Sequence, residues 1–503
     1  MQADHAYAEL LLHFRSHALI DSAKNVLEWD GETMLPEGGV AHRGDQIAEL
    51  AGLAHEKFIA PRALERLEEL SSTDLARGTG DRATNLREWR RSTSRKCRLE
   101  RKLVERTARL TSVAQHAWAS ARKADDFAAF LPHLEAVLQA KREEGAALAV
   151  DHETPWEALL QEFEPGMTAA SIDSLFPPLA RELRALLGRV RGAAVQPRSD
   201  VLRRRVEVGA QRRFAESVIT RLGFDWRRGR LDTSAHPFST HLGPDDTRIT
   251  TRFYEEDLQE GLFGALHEAG HALYDQGLPV SAFGTPRGEA ASYGVHESQS
   301  RLWENFVGRS PGFWRCLYDE LRRTWPGTLD DVPEHDFVGA INAVEPGPNR
   351  VRADEVTYNL HVVVRTELER ALLAGDLAAR ELPGAWNEAY LRELGVTPSS
   401  DAEGCLQDGH WSAGLFGYFP TYTFGNLMAA EFFAAAERAT GDLEEAFCRG
   451  DFASLLSWLR ANVHRHGKTF PAPALLERAT GSVLGHRTLV DALTKKCALV
   501  YRF

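Results

Sequence analysis

The chain lacks several features that would each have named a protein class. Its five cysteines (Cys97, Cys316, Cys405, Cys448 and Cys497) are scattered, odd in number and without CxxC spacing. A disulfide scaffold is excluded, and free thiols in a reducing cytoplasm are the simplest expectation. No run approaches the roughly 18 apolar residues of a membrane span. The apolar stretch near the N-terminus, in MQADHAYAELLLHF, is too short for a secretory signal, so neither export nor a membrane partner is expected. Positive charge is also in deficit: 60 Lys and Arg stand against 72 Asp and Glu, a formal net charge of −12 over 503 residues. That balance disfavours nucleic acid as a partner, because phosphate binding needs a basic footprint. With 43% hydrophobic and 26% charged residues, the remaining composition is that of a globular protein.

What is present is helical periodicity. Apolar residues recur at three- and four-residue spacing over Tyr7–Leu27, Leu64–Leu75, Leu99–Leu110, Phe127–Leu148, Leu179–Val190, Val356–Leu373 and Leu427–Ala439. The basic stretch Arg87–Leu110 is interleaved with Glu88, Glu100 and Glu105, which reads as a solvated, salt-bridged helix rather than a binding face. One segment differs. Residues 246–253 (DTRITTRF) alternate polar with β-branched or aromatic side chains after a Gly243-Pro244 break, the pattern of a short strand. Glu255, Glu256 and Asp257 are then expected to open a helix running to about Tyr274, ended by Gly277 and Pro279.

That helix contains His267-Glu268-Ala269-Gly270-His271. Positions i and i+4 share one helix face, so both imidazoles can address one zinc ion, and Glu268 can reach the water beside it as general base. Leu262, Leu266 and Leu273 give the helix apolar support. A catalytic zinc site needs a third protein ligand and an open position. The third-histidine extension is absent, because positions 274 and 277 are Tyr and Gly. Downstream, Gly294-Val-His296-Glu297-Ser298 is expected to open another helix continuing through Ser300–Val307. From the residues alone, Glu297 and His296 are both open as the third ligand.

These motifs, with others in order along the chain, resemble the carboxypeptidase Taq family of zinc metallocarboxypeptidases. HEAGH at 267–271 and HES at 296–298 are joined by His236-Pro237-Phe238, by Asp246-Thr-Arg248-Ile-Thr250, by Asn349-Arg350-Val-Arg-Ala353-Asp354 and by Gly404-Cys-Leu-Gln407-Asp408-Gly-His410-Trp411. Leu27-Glu-Trp29-Asp30, Met34-Leu-Pro36 and Glu164-Pro165-Gly166 are similar as well. Before Arg350 the chain reads Glu345-Pro-Gly-Pro348, where many relatives carry Pro-Ser-Leu.

The resemblance implies a mostly α-helical metallopeptidase with a deep substrate groove and a small β-sheet at the groove edge. It implies a single catalytic unit over 1–503, with a helical part at about 1–200 and a metal-site part at about 201–503. It implies Zn²⁺ on His267, His271 and Glu297, replaceable by Co²⁺, and a homodimer releasing single residues from peptides with a free C-terminus. Glu268 would pass the water's proton to the leaving amine. His410 and a tyrosine, Tyr422 first and Tyr418 second, would stabilise the oxyanion. Arg350, on a loop before a helix expected from about Ala353, would bind the C-terminal carboxylate through its planar fork. Arg248 is the runner-up for that task, or holds the sheet edge through Asp246, and His236 would close the groove near the cleaved residue. An oligopeptidase built on the same motif and a catalytically silent peptide-binding scaffold are the competing readings.

Overall fold

The computed structural model describes residues 2–503 and is mostly helical, with one three-stranded sheet. The chain forms two compact units, each assembled from three separate stretches. The first takes the chain up to Lys96, Arg198–Ile341 and Met428–Val483; the second takes Cys97–Pro197, Asn342–Leu427 and Leu484–Phe503. Among the described residues no helix is long and apolar enough to cross a membrane, and all five cysteines are free thiols.

In the first unit the long helix Gln2–Thr33 packs on Val40–Phe58 and Pro61–Ser71. Their shared core is aromatic: Phe14 stacks on Trp89 at 4.4 Å and meets Phe58 edge-on at 5.5 Å. A second cluster joins Phe313, Trp314 and Phe337, all buried. Strands β1 (Gly229–Thr233), β2 (Ser239–Gly243) and β3 (Asp246–Thr251) form the sheet in the order β1-β3-β2. β3 runs parallel to β1 and antiparallel to β2, with a register irregularity between His241 and Gly243. The expected strand is β3, which stops two residues earlier at Thr251. Ile249, Thr250 and Thr251 are buried, and the helix Leu258–Asp275 packs against this strand.

That helix begins later than its acidic residues suggest. Asp257 sits outside it as the N-cap, accepting from the Gln259 and Glu260 backbone N–H groups at 3.0 and 3.1 Å. The basic stretch is likewise two helices, Asp81–Cys97 and Arg101–Ala124, rather than one. Its charges pair locally, Arg91 with Glu88 and Arg101 with Glu105.

The second unit is a helical assembly that includes Phe127–Leu148, Ala169–Arg191, Tyr358–Ala374, Leu382–Leu394 and Arg487–Tyr501. Trp386 stacks on Tyr390 in its core at 5.2 Å. The fully buried carboxylate of Glu369 accepts from Trp156 Nε1, Trp411 Nε1 and the Gly417 backbone N–H, which ties the irregular segment after His410 to two helices.

Candidate metal centre

Two helices of the first unit build the centre. Leu258–Asp275 carries His267, Glu268 and His271; Tyr293–Arg301, capped by Ser292, carries Glu297. Gly270 lets them meet. A Cβ there would stand 2.6 Å from the Gln299 carbonyl oxygen and the Ser300 Cα, closer than backbone tolerates. The absent side chain thus admits the second helix directly over the HExxH turn.

The result is convergence. Glu297 Oε2 lies 3.6 Å from His267 Nε2 and 3.5 Å from His271 Nε2, and one ligand atom from each of the three residues falls within 4.8 Å of the others. Zinc–ligand bonds of about 2.0–2.1 Å give a tetrahedral edge of about 3.3 Å, so the spacing suits one small divalent ion with a fourth position left over. Both imidazoles are held from behind. His267 Nδ1 donates to Glu304 Oε2 at 2.9 Å, and His271 Nδ1 donates to the His296 carbonyl at 3.1 Å. Each Nε2 therefore presents its lone pair to the centre. Glu297 Oε1 accepts from Arg301 Nε at 2.8 Å, and Ser300 Oγ donates to Oε2 at 3.0 Å.

His296, the rival ligand, is turned elsewhere. Its ring stacks on His271 at 4.3 Å, and its Nε2 is 3.1 Å from Asp275 Oδ1.

Electrostatics separate the two neighbouring glutamates. Burial would raise the Glu297 carboxyl, but Arg301 and His267 overcome it and hold it well below the usual range. For Glu268 burial prevails over the pull of His267 and pushes the carboxyl up to about 7. Burial, reinforced by His296, lowers His271 to about 4, leaving it neutral as a ligand must be.

The other expected site residues lie in the second unit or on the sheet. Arg350 is not on an accessible loop: it is 6% exposed, and its helix begins only at Tyr358. Two contacts account for this. Asp354 accepts from the Val356 and Thr357 backbone N–H groups, which keeps 351–357 out of the helix, and Asp408 draws the arginine inward. Arg350 Nε and Nη2 donate to Asp408 Oδ1 at 3.2 and 2.8 Å, and its Nη1 donates to Tyr358 Oη. Fully buried Arg365 donates to the second Asp408 oxygen at 2.7 Å. Gln407 completes the junction, accepting from the Arg350 N–H and donating to the Pro348 carbonyl.

His410 and Tyr422 are brought together, with Nε2 and Oη hydrogen-bonded at 3.1 Å, and Tyr418 meets Tyr422 edge-on at 5.4 Å. Burial lowers His410 to about 4, so the imidazole is neutral. The Arg350 guanidinium lies 4.9 Å from the Tyr422 ring. Arg248 forms a bidentate pair with Asp246 and stacks over Trp29 at 4.2 Å, so its fork is committed within the sheet region. His236 is exposed between β1 and β2, and its carbonyl accepts from Ser234 Oγ.

Sequence reasoning passed over Glu304, Arg301, Arg365 and the structural weight of Asp408. The last lies inside the quoted GxxQDxHW element; the others carry no motif.

The family model described as carboxypeptidase Taq (M32) metallopeptidase matches residues 9–497. The chain is 45% identical over 510 residues to thermostable carboxypeptidase 1 of Thermus thermophilus, covering all of both chains. It is 34% identical to carboxypeptidase 1 of Bacillus subtilis, covering 95% of each. Among solved structures, the M32 carboxypeptidase of Deinococcus radiodurans superposes with a TM-score of 0.96 at 40% identity, over 99% of this chain and 100% of that one. Metallocarboxypeptidase 1 of Trypanosoma cruzi gives 0.91 at 34% identity, over 98% and 99%. This chain belongs to the carboxypeptidase Taq (M32) family and is a metallocarboxypeptidase.

Proposed function

We propose that the chain releases single amino acids from peptides with a free C-terminus, using one zinc ion on His267, His271 and Glu297, with Glu268 as general base. The observation that carries this reading is the convergence of two back-bonded Nε2 atoms and one Glu297 oxygen around a single point. Two imidazoles and a carboxylate suit zinc on donor grounds, and Co²⁺ takes the same set. A zinc ion held there supplies Lewis acidity, acidifying water and polarising a carbonyl.

The chain's own groups do the rest. Glu268, buried and raised to about 7, takes the proton of the attacking water and returns it to the leaving amine. A carboxylate poised near neutrality serves both transfers, whereas Glu297 is held too acidic to accept a proton. Tyr422, oriented by neutral His410, donates to the developing oxyanion, with Tyr418 as the second candidate. Arg350 receives the terminal carboxylate; two guanidiniums share one Asp408 carboxylate, which leaves one positive charge for an incoming anion. His236 is assigned to the cleaved-residue side and Arg248 to support of the sheet. Because the family model spans nearly the whole chain, we assign residues 1–503 to one catalytic unit, and we assign it to the cytoplasm as a homodimer.

The test is a set of blocked dipeptides offered as free acids and as C-terminal amides. A carboxypeptidase of this design cleaves the acids and spares the amides. Equal cleavage of both would favour an internally cutting oligopeptidase.

A further inference from the structure

Beyond the ligands themselves, the helix carrying Glu297 changes character at its end. Tyr293–Arg301 is α-helical, but Leu302–Val307 is a π-helical turn, closed by the Gly308 N–H bonding back to the Trp303 carbonyl at 2.9 Å. Such turns are rare and frequently occur at functional sites. This one redirects the side chains that follow Arg301. Glu304 Oε2 thereby reaches His267 Nδ1 at 2.9 Å, across 37 residues of chain.

The Glu304 carboxylate is anchored from its far side. Arg309 Nη2 contacts Oε1 at 3.4 Å, while the same guanidinium donates to the Ile341 carbonyl and lies over the Phe263 ring at 4.0 Å. Arg301 spans the two acidic groups, donating from Nε to Glu297 at 2.8 Å and from Nη1 to Glu304 at 3.3 Å. The two histidines are therefore oriented by unlike acceptors: His271 by a neutral backbone carbonyl, His267 by a carboxylate fixed in a charged lattice. A carboxylate behind an imidazole fixes its tautomer and raises its basicity toward a metal, which a carbonyl does more weakly.

Resting on the metal-centre reading above, we propose that Glu304 is a positioning residue for His267. Held by the π turn and coupled to Glu297 through Arg301, it sets metal affinity while touching neither ion nor substrate. A merely structural role would instead make Glu304 one more partly buried ion pair, felt in stability alone.

The experiment uses the full chain, stripped of metal and titrated with zinc against a chromophoric chelator, and with Co²⁺ followed by its d–d absorption. Glu304→Ala is expected to weaken zinc binding about 10- to 100-fold. Glu304→Gln, whose amide oxygen still accepts from Nδ1 but carries no charge, is expected to fall between that variant and wild type. Glu304→Ala should shift the cobalt bands, since the His267 ring loses its fixed orientation, and Glu304→Gln, which keeps the hydrogen bond, should shift them less. Unfolding of the metal-free variants is the control: a loss of stability with unchanged affinity would overturn the proposal. So would zinc affinities within about twofold of wild type and an unaltered cobalt spectrum. If Glu304→Ala does not fold, the Glu304→Gln titration decides. A different failure is recognisable: wild type binding zinc no better than His267→Ala would remove the metal centre itself, and this inference with it.

Discussion

The metal centre and the Asp408 cluster are both buried and charged, and both are built from segments distant in sequence, but their balances are opposite. At the metal centre Glu297 and Glu304 pair with Arg301 and Arg309, Glu268 adds a third acidic group, and the atoms left over are two imidazole nitrogens and a carboxylate oxygen. Around Asp408 two guanidiniums, Arg350 and Arg365, close on one carboxylate, and the nearby side chains are tyrosines and a neutral histidine. The first arrangement suits a cation, the second an anion. One cluster leaves donor atoms open by occupying the opposite side of each ring; the other leaves net charge open by sharing a counter-ion.

The largest expected effect breaks the first side of that comparison. His267→Ala, His271→Ala and Glu297→Ala should each lose the bound zinc on metal analysis of the purified chain, while His296→Ala should keep it. A Glu297→Ala protein with full zinc stoichiometry would move the third ligand elsewhere.

Asp408→Asn tests the second side through stability. It strips two buried guanidiniums of their shared anion, which should cost about 3–5 kcal/mol on denaturant unfolding. A loss under about 1 kcal/mol would mean that the cluster's charge is compensated by other groups.

Arg350→Ala sharpens the functional contrast. Losing one partner of a desolvated charge pair costs about 2–5 kcal/mol, so kcat/KM on free-acid peptides should drop about 30- to several-thousand-fold. Amidated peptides should lose little, and Arg350→Lys should recover only part. Arg248→Ala, which breaks the Asp246 pair, should leave the acid-over-amide preference intact. If that variant erases the preference and Arg350→Ala does not, the two roles are reversed.

The smallest effect is a pH slope. Burial raises the Glu369 carboxyl from its ordinary 4.5 to about 7, against the pull of the Trp156, Trp411 and Gly417 N–H groups. The folded state thus holds this proton more tightly than the unfolded chain. Below about pH 4.5 the group costs nothing, and stability falls as pH rises through the window from 4.5 to about 7. The fall is about 3 kcal/mol at 1.36 kcal/mol per unit. Glu369→Gln should lack that part of the slope when unfolding is compared at about pH 5 and pH 7.5; parallel profiles would contradict the assignment.

How much of this was legible beforehand depended on whether the controlling geometry was local. HExxH was readable because i and i+4 share a helix face whatever surrounds them. Phe127–Leu148 was readable at both ends because its apolar period runs the full length. β1 and β2 were not, since Gly229–Thr233 and Ser239–Gly243 are five-residue strands with too few apolar positions to alternate. Glu297 could be narrowed only to a pair with His296, because the choice depends on Asp275 capturing the His296 ring from another helix. Glu304 was invisible, because a six-residue π turn leaves no periodic signature. The sequence does not reveal that the Arg350 loop is buried, because the burial is caused by Asp408, 58 residues away.

The account turns on Glu268 being a base beside the metal and not a ligand to it. Glu268→Gln, assayed for bound zinc and for hydrolysis of a free-acid peptide in the same preparation, tests this most directly. The account predicts zinc at the wild-type stoichiometry and turnover reduced about 100- to 10,000-fold. A protein that has lost its zinc, or one that keeps its zinc and hydrolyses peptide at the wild-type rate, would contradict it.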